Sequence, residues 1–206
     1  MTQATSIGHG ALRLQFDLTG GLAAARNLSA LSARLVEVPP RAIATVRRRL
    51  PVQARRDIQA EYALPARRVN QDLTARQTDS GVRLVGRFRG IGLMQFNARE
   101  ATGGVRATVL RGRRNLRKDA FIAPGIGSNV QVFQRAGAKR EMRQGRYAGK
   151  QRQPLVAEYG ASVAQMLAKG RRPERLVDFA RGVLAAEVDR LLRIPSAGVA
   201  TGSTPA

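Results

Sequence analysis

The chain has 206 residues, with 36 Lys and Arg against 14 Asp and Glu, a formal net charge of +22 and no cysteine. That length supports one domain with a core and leaves little room for two, and the missing cysteines exclude disulfides, thiolate catalysis and zinc–thiolate sites. So positive a field attracts nucleic acid, anionic membrane or acidic protein surfaces, yet no apolar run approaches the roughly 20 residues of a membrane span.

Residues 1–11 lack the basic-then-apolar order of a secretory signal and read as a flexible terminus. Leu12, Leu14, Phe16 and Leu18 then alternate with Arg13, Gln15 and Asp17, the period of a first strand. Leu22, Ala25, Leu28, Leu31 and Leu35 recur at helical spacing up to Val38, where Pro39-Pro40 ends one helix and can open the next. Ile43, Val46 and Leu50 mark the new helix, Pro51 is expected to kink or restart it, and Ile58 and Tyr62 continue its apolar face. Leu64-Pro65 interrupts again. Residues 67–76 read as a short helix leading into a turn at Asp79-Ser80-Gly81.

The organising stretch runs from Gly81 to Ala123. Val82, Leu84, Gly86 and Phe88 alternate with Arg83, Val85, Arg87 and Arg89, as in a strand with one buried and one wet face. Ile91 to Phe96 is a second apolar run. Val105, Ala107 and Val109 make a third, entered through a turn at Thr102-Gly103-Gly104. Together they predict a small antiparallel sheet with arginines along its exposed face. Arg111-Gly112-Arg113-Arg114 is a basic turn, Pro124 to Ser128 a loop, and Val130, Val132 and Phe133 a further strand.

Residues 136–153 are rich in Gly, Gln and Arg and read as a long, flexible basic loop. Between Val105 and Gln153 there are 13 cations and two acids, so this quarter of the chain holds +11, half the total. Ser162 is placed to cap a helix over Val163 to Lys169 that stops at Gly170. Arg172-Pro173-Glu174 opens the last helix, whose apolar face is Val177, Ala180, Leu184, Val188 and Leu191 and whose charges cancel. Residues 195–206 are too small and polar to order themselves. The fold class expected is α+β: N-terminal helices, a central small antiparallel sheet with long basic loops, and a C-terminal amphipathic helix, in one domain over 1–194.

His9 is the only histidine, the acids are scattered, and no glycine-rich phosphate loop is present, so a catalytic triad, a metal centre or a nucleotide site is not expected. No catalytic, cofactor or metal residue is assigned and no enzyme activity is expected. The candidate contact residues are Arg83, Arg87, Arg89, Arg106, Arg111, Arg113, Arg114, Lys139, Arg140 and Arg143. Arginine forks suit phosphate and carboxylate alike, and stacking aromatics are scarce, which argues against base recognition. Pairing with carboxylates of neighbouring subunits is favoured over direct contact with DNA.

The order Gly90-Ile91-Gly92-Leu93 with Phe96 and Ala98, Gly104-Val105, Gly112-Arg113, Ala120-Phe121-Ile122-Ala123, Val132-Phe133 with Arg135, and Pro154-Leu155 before Tyr159-Gly160-Ala161-Ser162-Val163 and Met166 resembles the minor tail protein Z family of long-tailed phages and prophages. The likeness spans roughly Val36 to Leu167. It departs at Gly160-Ala161-Ser162, where the family often has Gly-Pro-Ser, and in a longer basic loop. The resemblance implies a virion structural protein, assembled in the host cytoplasm, that acts in tail completion and head–tail joining at the head-proximal end. Implied partners are further copies in a ring, expected as a hexamer, the tail-tube, tail-terminator or neck proteins, and the DNA end in the channel, with no membrane contact. A tail-terminator or neck connector is the near alternative. A free basic nucleic-acid-binding protein is the alternative from another class.

Overall fold

A computed structural model describes residues 2–7, 11–17, 34–79 and 81–193. It shows an α+β protein built around one helix. Helix α1 (Arg34–Glu61) carries Val38, Ala42, Val46, Leu50, Ala54, Ile58 and, just beyond its end, Tyr62, all buried and each four residues from the last. An i+4 series is a single ridge inclined to the helix axis, so it meets different neighbours along its length. Those neighbours are α4 (Arg172–Arg193), the strands β3 (Leu73–Thr78) and β4 (Gly81–Arg87), and the short helices α2 (Ala66–Gln71) and α3 (Val163–Ala168).

The breaks expected at Pro39-Pro40 and Pro51 do not occur: all three prolines lie inside the continuous helix. An interior proline costs about 3 kcal/mol, whereas each large side chain of the ridge returns about 1.5–3 kcal/mol on burial. The Arg47 carbonyl that loses its donor to Pro51 belongs to an exposed residue, where water can replace it. The helix expected over residues 22–38 falls almost wholly outside the described residues, as does the C-terminal tail.

Four antiparallel strands form the largest sheet in the order β1-β2-β4-β3, with β1 at Thr2–Ile7 and β2 at Ala11–Asp17. The first strand corrects the reading of residues 1–11 as a flexible terminus, because Thr2 to Ile7 pair in register with Phe16 to Ala11. The second half of the helix expected over 67–76 is instead β3, whose Leu73 to Thr78 pair with Gly86 to Gly81.

Gly81 to Ala123 is not one sheet. Val82, Leu84 and Gly86 are buried as expected, but Phe88 lies beyond the strand and is 52% exposed. Ile91–Gly92 (β5) pairs only with Tyr159–Gly160 (β14), and Leu93–Phe96 turns into a 3-10 helix that buries Leu93 and Phe96. Arg99–Ala101 (β6), Gly104–Leu110 (β7) and Arg113–Lys118 (β8) make a separate three-stranded sheet entered through the expected Thr102-Gly103 turn. Ala120–Pro124 (β9), Val130–Arg135 (β10) and Leu155–Ala157 (β13) make a third. The flexible loop expected over 136–153 is a β-arm continuing from β10 and β13. In it Arg140–Glu141 (β11) pairs with Gln151–Arg152 (β12), and the Ala136 N–H donates to the Pro154 carbonyl at its root.

Helix α4 lies antiparallel along α1, pinned by polar links at three levels. The Thr45 hydroxyl meets the Glu187 carboxylate at 3.2 Å, Arg175 meets Asp57 at 3.6 Å and Arg172 meets Glu61 at 2.8 Å. Arg172 is only 3% exposed. Its guanidinium also donates to the carbonyls of Met166, at the end of α3, and Asp57, and faces the Tyr62 ring. Ser162 and Gln165 form the reciprocal capping box that starts α3.

Gly86 lets α3 sit directly on β4. A Cβ there would lie 2.8 Å from Leu167 Cδ1 and 3.1 Å from the Ala164 nitrogen, a backbone atom that cannot rotate away. Gly86→Ala is expected to cost about 1–3 kcal/mol through overpacking, while Gly92→Ala, with nothing within 4 Å, leaves the urea midpoint within the error of wild type. Glu61 supplies a second check. The hydrogen bond from Lys169, and then that from Arg172, hold its carboxyl below the ordinary value of 4.5 against the opposing effect of burial. A depressed folded value means that the pairing stabilises fully above that ordinary value and is lost as pH falls through the lowered one. Glu61→Gln should therefore be less stable than wild type at pH 7, with the gap in melting temperature closing towards pH 3.

Candidate nucleic-acid interface

The structure divides the ten candidate cations among four places. Arg83, the middle of β4, is half-buried and in register with Arg76 and Gln15, so it belongs to the sheet more than to a ligand surface. Arg87 and Arg89 are exposed at the mouth of a cleft of about 500 Å³ shared with Arg68, Val130 and Tyr159. Arg89 stands in the loop after β4, not on its face.

Arg111 is a structural clasp. Its backbone N–H donates to the Glu61 carbonyl at 2.8 Å and its side-chain Nε to the Gln59 carbonyl, two of the orphan acceptors at the end of α1. A cation there also opposes the negative end of the helix dipole. The Ala63 N–H bonds to Val109, so the β7–β8 hairpin is fastened to the helix from both sides. Arg113 follows the clasp, paired in register with Leu110 and exposed.

Arg106 and Arg114 line a concave groove of about 850 Å³ on the outer face of the β6–β7–β8 sheet, together with Arg99. Sequence reasoning missed Arg99 because the second strand was placed at Ile91 to Phe96. The alternation Arg99, Ala101 before a Thr-Gly turn was the signal that could have found it. Val105 and Ala107, on the opposite phase of β7, are buried in the core, which explains why the arginine phase faces out.

Lys139, Arg140 and Arg143 are exposed on the β-arm, whose only acid is Glu141. The ladder extends toward the tip through Met142, whose N–H donates to the Lys150 carbonyl and whose carbonyl accepts from Gly149. At the turn the Arg152 guanidinium sits 3.7 Å from the centre of the Tyr147 ring. Arg146 lies over the same ring at 5.8 Å, and the Gln153 amide donates to the Gly137 carbonyl, so the exposed arm is held by a few side-chain contacts around Tyr147 and its root.

Acids do not balance this surface. Asp57, Glu61, Asp72, Glu158, Asp178, Glu187 and Asp189 are held in ion pairs, five of them on α1 and α4. Among the described residues of the β7–β8 hairpin and the β11–β12 arm, Arg117 is the one cation with such a partner, Glu158 at 3.8 Å. Among the described residues no group of three or more His, Cys, Asp or Glu could hold a metal ion, and no helix is long and apolar enough to cross a membrane. No protein-family model, curated protein or solved structure matches this chain.

A stack of cation on ring contributes about 0.5–2 kcal/mol. Tyr147→Ala should accordingly speed hydrogen exchange at the Met142 amide by about fivefold, the equivalent of 1 kcal/mol, without moving exchange in β7.

Proposed function

We propose that this protein is a structural component of a phage tail that acts in tail completion and head–tail joining at the head-proximal end, as one subunit of a ring around the DNA channel. The observation that carries the reading is where the residues of the family resemblance lie. Ile91, Leu93, Phe96, Val105, Ala120, Val132 and Met166 are all buried and belong to one core cluster. Gly160 lies so close to the Phe96 ring that a Cβ would come within 2.5 Å of it. The motif order is thus carried by residues that determine the packing.

Two further features suit assembly. Strands β8 and β13 are sheet edges with one neighbour each, and β13 exposes Leu155 and Val156 by about half. An open edge with exposed apolar side chains is a surface that a neighbouring protein can extend. The role needs positioned contact surfaces and no catalytic centre.

The decisive experiment is to locate the protein in purified particles by electron microscopy with a specific antibody. Label at the head-proximal end of the tail is expected; absence from the particle overturns the reading and leaves the free nucleic-acid-binding protein. Within the particle, Arg87→Ser with Arg89→Ser should leave the monomer folded and lower the yield of joined heads and tails by about tenfold, equivalent to about 1.4 kcal/mol of lost contact. Arg83 is left out of this variant because its half-buried position ties it to the sheet.

A further inference from the structure

The β6–β7–β8 groove places like charges where strand geometry makes them most costly. Arg99 and Arg106 are directly opposite in register on neighbouring strands, an arrangement that destabilises a sheet unless something anionic lies across it. Neither their side chains nor that of Arg114 makes a hydrogen bond or ion pair among the described residues, whereas the cations of α4 at 175, 181, 190 and 193 are all ion-paired. The only acid lining the groove is Glu100.

A second copy of the chain is a poor occupant. It brings 36 cations and 14 acids of its own, and seven of those acids are already ion-paired within the fold. An acidic protein segment is also disfavoured. Protein interfaces bury an apolar centre, while this groove is lined by three guanidinium groups, an amide, a hydroxyl and the single Glu100 carboxylate, with Ala101 as its one apolar side chain. Nucleic-acid interfaces are instead polar and strongly positive. The lining contains no aromatic ring, so bases find no stacking platform and the contact falls on phosphates.

We infer that this groove holds the phosphate backbone of double-stranded DNA, through Arg99, Arg106 and Arg114, without reading its sequence. The Gln134 amide donates to the Lys118 carbonyl at 3.2 Å, which brings the root of the β-arm to the end of β8, so the cationic track continues towards Lys139 and Arg140. The inference deepens the tail reading and rests on it for the presence of DNA, while the chemistry of the groove stands on its own.

The test is fluorescence anisotropy of the full chain with labelled duplexes of about 30 base pairs and unrelated sequences, titrated across salt. Binding of equal strength to each duplex is expected. Arg99→Ser, Arg106→Ser and Arg114→Ser together should lower the slope of log K against log salt by about 2–3, near 0.9 for each phosphate contact removed. Arg47→Ser, Arg48→Ser and Arg49→Ser on α1 should lower it by less than half as much. If the groove variant loses its thermal transition, Arg106→Ser alone, expected to lower the slope by about 1, replaces it. An unchanged slope overturns the inference, as does polyglutamate competing as well as unlabelled duplex at equal charge. Either result with the protein still present in particles sinks only the groove, whereas absence from particles with DNA binding intact sinks only the tail reading.

Discussion

Burial of the Arg172 guanidinium is the constraint on which the rest of the arrangement depends. Taking a cation out of water costs several kcal/mol unless it is paired and hydrogen-bonded, and here its two terminal nitrogens are held by acceptors on two helices while Nε is left without a partner among the described residues. The end of α3 gives the Met166 carbonyl, the last turns of α1 give the Asp57 carbonyl and the Glu61 carboxylate, and Tyr62 gives its ring. The three helices therefore cannot shift independently. Because Glu61 and Gln59 also accept from Arg111, the position of the β7–β8 hairpin is referred to the same point.

Much of this was legible in the residues wherever one local rule acted alone. The face of α4, the Ser162 cap, the alternation of Val82, Leu84 and Gly86, and the strand at Val130 each follow from a single period or a single capping preference. Legibility failed where packing outweighed local preference. Three prolines promised breaks in α1, but an i+4 ridge of seven buried residues outweighs them. Ile91 to Phe96 is apolar enough for a strand, yet the buried Phe96 ring packed under Gly160 needs the tighter 3-10 turn. Residues 136–153 carry too little apolar surface to suggest order, and what they do have is a short ladder and the contacts of Arg146 and Arg152 with the Tyr147 ring.

Individual sites were harder to read than elements because an arginine's role depends on what surrounds it. Arg111 and Arg113 are two residues apart in one basic turn and both exposed, yet only Arg111 bonds the end of a helix. In the sequence Arg172 marks only the start of a helix, and it is the most buried cation described. Arg99 gained meaning only once its strand was paired with that of Arg106. The number of cations announced a polyanionic or acidic partner, but only three-dimensional pairing separated those already satisfied from those left facing outward.

The outer edge of β8 has a consequence for how the protein behaves alone. Four of its six residues, Arg113, Arg114, Arg117 and Lys118, are cationic, and charged edges resist zipping against one another. Repulsion between two such edges is screened over about 8 Å at physiological ionic strength, so adding salt relaxes the barrier to self-pairing while it weakens the hold on a polyanion. Self-association through this edge and capture of an anionic partner thus respond to ionic strength in opposite senses, and dilute salt keeps the free subunits apart.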